Sequence, residues 1–136
     1  EELYEKVMGD VTEFERIAPE VAEFQSEGTD GADLVLVCHG VVFRAIREAV
    51  TSLREQGYKV GYFRPVTLRP LPVPQIREML AGAKRVLLVE SSYGQMARLF
   101  KEAAYGNTAE ILTLFKPGLG VTAGEVEARV KEILAT

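Results

Sequence analysis

The stretch LVLVCHGVVFRAIREAVTSLREQG, Leu34 to Gly57, decides the fold. Its first five residues, Leu34 to Cys38, are apolar without alternation, the pattern of a strand covered on both faces. Gly40 breaks that run. Val42, Ile46, Ala49 and Leu53 then recur at three- and four-residue steps, with Phe43 and Val50 beside them, as one stripe of an amphipathic helix. Gly57 supplies the stop. A doubly buried strand that passes at once into an amphipathic helix is the repeating unit of a parallel sheet.

The unit recurs three times downstream. Lys59 to Phe63 reads as the second buried strand, and after a proline-rich connector comes a short helix with Pro74 in its first turn and Gly82 at its end. Arg85 to Val89, RVLLV, is the third strand, closed by Glu90, Ser91 and Ser92. Ser92 and Gln95 have capping-box spacing, so the next helix begins near Gly94 and buries Met96, Leu99, Phe100 and Ala103. Ile111 to Phe115 is the fourth strand, ended by Pro117, Gly118 and Gly120; Thr122 with Glu125 makes a second capping box, and Val126, Val130, Ile133 and Leu134 form the last stripe.

Upstream, Leu3, Val7, Val11, Phe14 and Ile17 mark an amphipathic helix from Leu3 to about Ala18, which Pro19 interrupts. That stripe has to dock on something. The following VAEFQSEGTDGAD leaves room for a short edge strand at best. Short connections and right-handed crossovers then predict a three-layer α/β/α sandwich, a single domain over residues 1–136 with a helical lead-in at 1–20 and the α/β body at 21–136.

The connector is the segment YFRPVTLRPLP, Tyr62 to Pro72. Pro65, Pro70 and Pro72 each fix φ and remove an amide donor, so it is expected to be neither helix nor central strand but a rigid strap. It leaves the carboxyl end of a parallel strand, where open α/β sheets place ligands and partners.

Composition narrows the function. A net charge of -4, with 16 Lys and Arg scattered among 20 acids, offers no basic face for nucleic acid. No apolar run is long enough for a membrane span. The single cysteine, Cys38, forbids an internal disulfide and fits a reducing cytoplasm, and the lone histidine, His39, leaves no CxxC or HxxxH metal spacing. The chain starts with Glu1, and EELYEKVMGD is too charged for a signal peptide, so either the start was removed or this is a fragment of a longer chain.

The strand ends carry none of the familiar ligand fingerprints. CHGVVFR has one glycine where a dinucleotide loop needs three, no GKS or GKT closes a phosphate loop, and no serine sits in a GxSxG elbow. His39 has no definable catalytic partner and reads as a hydrogen-bonded loop histidine rather than a general base. The apolar neighbours of Cys38 raise its pKa and make it a poor nucleophile. Glu90 ends an apolar strand before SSYGQ, where a carboxylate caps backbone amides or meets an arginine more often than it catalyses. Arg64 and Arg69 flank the connector and read as interface arginines before anion ligands.

These residues resemble one family. The pattern R-P-x-T-L-x-P-x-P at Arg64, Pro65, Thr67, Leu68, Pro70 and Pro72, joined to E-x-x-x-G-Q at Glu90, Gly94 and Gln95, is similar to the C-terminal domain of the alpha subunit of 2-oxoacid:ferredoxin oxidoreductases. The similarity runs from about Ala22 to the C-terminus. It implies a transketolase C-terminal-like fold, a five-stranded mostly parallel sheet in which a short antiparallel strand lies at about Ala22 to Glu27. It also implies a non-catalytic docking domain with no cofactor of its own. The parent enzyme of such a family uses thiamine diphosphate, Mg2+, iron-sulfur clusters and coenzyme A to oxidise a 2-oxoacid to its acyl-coenzyme A and reduce ferredoxin. The partners implied are the pyrimidine-binding domain of the same subunit, the beta subunit with gamma or delta subunits, and ferredoxin. Arg64, Pro65, Thr67, Arg69, Glu90 and Gln95 are the implied interface residues. Within these 136 residues the resemblance does not extend to a pyrimidine-binding domain, and Cys38 and His39 stand where a small or aromatic residue is expected before the glycine. Two alternatives are the matching domain of a transketolase or 2-oxoacid dehydrogenase E1 component, and a free-standing small-ligand module using the loops at His39, Arg64 and Ser92. A large apolar patch on the first helix would favour the subunit reading over the ligand module.

Overall fold

The computed structural model describes residues 1–136. Its elements run α1 (Glu2–Val21), β1 (Phe24–Glu27), β2 (Leu34–Cys38), α2 (Phe43–Glu55), β3 (Val60–Pro65), α3 (Val73–Gly82), β4 (Arg85–Glu90), α4 (Gln95–Ala103), β5 (Glu110–Phe115) and α5 (Ala123–Leu134). The strands form one sheet in the order β1-β3-β2-β4-β5. β1 is antiparallel to β3, while β3, β2, β4 and β5 are mutually parallel.

The alternation of side chains along each strand divides the core in two. Val35, Val37, Phe63, Val86 and Leu88 face α3 and α4, packing on Ile76, Met79, Leu80, Met96, Ala97 and Phe100. Leu34, Leu36, Cys38, Tyr62, Leu87 and Val89 face α2 and α5, packing on Ile46, Ala49, Leu53, Val126 and Val130. All five residues of β2 are buried, as a central strand between two helical layers requires. The expected three layers, the five strands and the single antiparallel edge are therefore all present.

Local stops follow from backbone chemistry. Gly57, at φ +90°, ends α2 in a Schellman motif: Tyr58 N–H donates to the Leu53 carbonyl and Gly57 N–H to that of Arg54. Gly61 is glycine because a Cβ there would stand 2.2 Å from the carbonyl oxygen of Gly28, where the β1–β2 turn crosses β3. The Thr122–Glu125 capping box of α5 forms in both directions.

Three local expectations need correction. Pro19 does not end the first helix, which continues to Val21. A proline in the last turn forfeits only its own bond to Glu15, whose carbonyl belongs to an exposed residue open to water, and Ala22 N–H still reaches the Ala18 carbonyl at 2.9 Å. Ser92 and Gln95 make no capping box; Gly94, at φ +89°, is the N-cap of α4 and the cap is supplied from elsewhere. β3 also runs through Arg64 to Pro65, inside the segment expected to be non-strand. Pairing with β2 extends only to Phe63, so the missing amide of Pro65 falls beyond that ladder, opposite Phe24 of the edge strand.

Candidate functional site

Two regions carry the candidate residues: the carboxyl edge of the parallel strands, and the groove between α1 and the connector. The sheet's switch point lies between β2 and β4, the crevice where α/β sheets of this kind take their ligands. Here it is filled by the protein itself. Glu90 is 4% exposed, and its carboxylate accepts from the amides of Gly94 at 3.2 Å, Met96 at 3.2 Å and Ala97 at 2.9 Å. Ser92 Oγ donates to the same carboxylate. The helix end that would cradle a phosphate is thus neutralised by an internal anion. The amide-capping role weighed for Glu90 from sequence is the one observed, and Gln95 turns instead to accept from Tyr93 N–H at 2.8 Å.

On the neighbouring strand ends, His39 Nδ1 lies 3.0 Å from the Pro65 carbonyl oxygen. A carbonyl only accepts, so Nδ1 carries the proton and His39 is the hydrogen-bonded loop histidine expected. Cys38 is fully buried, and burial pushes its thiol up to about 12, against a smaller opposing pull from the Arg64 guanidinium. Arg64 lies over the Phe43 ring, 4.3 Å from its centroid, and donates to Gln25 Oε1 at 3.1 Å, while its Nε is buried without a partner.

The connector straps the first helix to the sheet. Val66 and Thr67 N–H both donate to the Glu23 carbonyl, at 2.8 and 3.2 Å, and Glu23 N–H donates to Thr67 Oγ1 at 2.9 Å. The Arg69–Pro70 peptide is cis. Leu68, Leu71 and Val73 turn toward the α3–α4 core, and with Phe14, Ala18 and Leu99 they line a groove of about 480 Å³ between α1 and the body. Its lining carries two bases, Arg69 and Arg77, and two acids, Glu15 and Glu102.

Of the interface residues named from sequence, Arg69 and Gln95 are exposed, Arg64 and Thr67 are half-buried, and Pro65 and Glu90 are buried. The larger unpartnered surface is α1, none of whose residues is buried: Leu3 is 74% exposed, Tyr4 68%, Val7 49% and Phe14 42%. Only the three-dimensional structure shows that the stripe seen in the sequence meets the body at its Phe14–Ala18 end alone and is left open from Leu3 to Val11. This is the apolar patch that favours a subunit of a larger protein over a free-standing ligand module.

No group of three or more His, Cys, Asp and Glu side chains comes together to hold a metal, one thiol falls short of the four that an iron-sulfur cluster takes, and the amides beside the switch point are already bonded.

Fold and edge together define a three-layer α/β/α domain of the transketolase C-terminal kind, self-capped at its switch point and open along its first helix. Residues 32–132 match the family model for pyruvate:ferredoxin oxidoreductase core domain II, and the chain belongs to that family. It is 31% identical over 120 residues to a ketoisovalerate oxidoreductase subunit VorB of Methanothermobacter thermautotrophicus, covering 88% of this chain and 34% of that one. With a 2-oxoglutarate synthase subunit KorA of Methanothermobacter marburgensis it shares 33% identity over 114 residues, 84% of this chain and 28% of the relative. The chain thus spans about a third of the length of these relatives. Among solved structures, 2-oxoglutarate:ferredoxin oxidoreductase from Magnetococcus marinus, with 2-oxoglutarate, coenzyme A and succinyl-CoA bound, superposes with a TM-score of 0.74 at 28% identity, over 86% of this chain and 21% of that one. A split-gene transketolase, described as an inactive beta4 tetramer, superposes with a TM-score of 0.65 at 18% identity, over 83% of this chain and 41% of that one, and shares the fold alone.

Proposed function

We propose that this chain is the docking domain of the alpha subunit of a thiamine-diphosphate-dependent 2-oxoacid:ferredoxin oxidoreductase. The parent enzyme decarboxylates a 2-oxoacid oxidatively, passes two electrons to ferredoxin and releases an acyl-coenzyme A. One observation carries the reading: a family match that spans the four parallel strands and the helices following them, on a chain whose remaining helix exposes an apolar stripe. The stripe gives the body a surface to bury against other parts of the enzyme, a pyrimidine-binding domain of the same subunit and a beta subunit. Thiamine diphosphate, Mg2+, iron-sulfur clusters and coenzyme A belong to those other parts, and the assembly works in the cytoplasm.

Within the interface, Arg69 and Gln95 offer side chains directly. Arg64, Pro65, Thr67 and Glu90 act from beneath, holding the strap and the start of α4 in shape. Titrating the isolated chain with thiamine diphosphate and Mg2+ tests the allocation of the cofactor. No saturable heat is expected, and stoichiometric binding at micromolar affinity overturns it. Joined to the remaining domains of such an enzyme, the chain is expected to restore 2-oxoacid- and coenzyme A-dependent reduction of a viologen dye. A well-folded hybrid without activity counts against the assignment.

A further inference from the structure

The stripe on α1 has a finer pattern than simple amphipathicity. Tyr4, Val7, Val11, Phe14, Ala18 and Val21 alternate at steps of three and four, the a and d positions of three successive heptads, on a helix of 20 residues. Twenty residues rise about 30 Å, long enough for a partner helix to lie in register along the whole seam. Only the lower end of the seam meets the body, where Phe14 and Ala18 wall the groove; Tyr4, Val7 and Val11 stand clear.

Charge chooses the partner. Between Glu2 and Val21 there are six acids and only two bases, Lys6 and Arg16, a net of -4 that equals the charge of the whole chain. All the excess charge therefore sits on the one helix without a mate. Asp10 and Glu15 flank the seam on opposite sides, at a g position and the e position of the next heptad. Two copies of α1 packed in parallel would set Asp10 beside Glu15 of the other helix on both edges, a repulsive arrangement. Packed antiparallel, they would align two helices of net -4, and Arg16 is already bonded to Glu13 at 2.6 Å. A second copy is disfavoured either way.

Resting on the docking reading above, we infer that α1 pairs with a helix of another part of the enzyme whose apolar seam is bordered by Lys or Arg at its e and g positions. The relatives carry about two thirds of their length outside the region matched, ample chain to supply it. The partner helix lies along Tyr4 to Phe14 and enters the groove beside the connector, where charges are already balanced.

Two synthetic 21-residue helices test this, alike in carrying Leu at a and d but with either Lys or Glu at e and g, each titrated into the 136-residue chain by fluorescence anisotropy. The Lys-bordered peptide is expected to bind roughly five- to tenfold more tightly at about 50 mM salt, from two e/g contacts changing sign, with the gap closing near about 500 mM. Asp10→Lys with Glu15→Lys, both on exposed positions, should reverse the order. Val7→Asn with Val11→Asn should abolish binding of both peptides while leaving the circular dichroism unchanged. Equal binding, or a preference that survives the charge reversal, overturns the basic border while leaving the docking reading intact. Binding of neither peptide, or binding that survives the Asn pair, overturns the helical seam itself. The docking reading is then judged separately by the hybrid-enzyme assay.

Discussion

Glu90→Ala is the most searching perturbation of this domain. The carboxylate is 4% exposed and accepts from three amides of buried residues, Gly94, Met96 and Ala97, as well as from the Ser92 hydroxyl. Each buried donor left without a partner costs about 1–3 kcal/mol. Water entering from the exposed Ser91 side recovers part of this, so a net loss on the order of 4 kcal/mol is expected, roughly 15 °C in the melting midpoint of a domain this size. Glu90→Gln keeps the volume and one good acceptor but loses the charge facing the start of α4. It should cost about 2 kcal/mol, with its second polar group set donor against donor. The assay is urea unfolding followed by circular dichroism, with the Ala variant losing more than the Gln variant. A loss below about 1 kcal/mol for Glu90→Ala would refute the argument that this carboxylate is the cap of α4. So would a Gln variant that is the worse of the two, because the geometry ranks them in the opposite order.

Other outcomes follow from the same structure. Cys38, pushed up to about 12 by burial, should resist alkylation at pH 8 in the folded chain and react fully once denatured; rapid native labelling would show that the β2 end is open. Lys116, at 2.5 Å, and then the Thr122 backbone and hydroxyl hold the Glu125 carboxyl down at about 2. A lowered folded pKa adds stability above the ordinary glutamate value of 4.5 and loses it as pH falls toward 2. Glu125→Gln should therefore flatten stability against pH in that window, and an unchanged acid slope would contradict the pairing. Thr67→Val removes the 2.9 Å bond from Glu23 N–H and should cost about 1 kcal/mol, with faster amide exchange at Glu23 as its local signature.

Most of the architecture was legible in the chain because its causes are short-range. The unbroken run at Leu34–Cys38, the helical steps after it and the Gly57 stop are each decided within a few residues, and repeated four times they leave one class of fold. The short antiparallel strand was different. Phe24–Glu27 is exposed along its length and has no alternation to read; the residues leave room there for a short edge strand at best, and its antiparallel direction came from the family resemblance, since pairing with β3 holds it in place. At the candidate site the residue types were readable and the partners were not. Ser92 and Gln95 have the spacing of a cap, yet Glu90 takes the amides of α4, because a buried carboxylate arriving from the end of β4 is a stronger acceptor than a hydroxyl, and the half-buried Ser92 hydroxyl itself donates to it.

The amino-acid sequence by itself determined which segments are doubly buried strands, which helices carry an apolar stripe, and that the common phosphate, nucleophile and metal motifs are missing. Those properties follow from the order of apolar, polar, glycine and proline residues along a local stretch of backbone. Only the tertiary structure decided that Glu90 closes the switch point from within, that Thr67 and Pro65 tie the connector to Glu23 and His39, and that α1 is left without a mate. Each of these depends on which groups, distant in the chain, are brought within hydrogen-bonding or packing distance. That is settled by the crossing of β3, β2 and β4 in one sheet rather than by any stretch read alone.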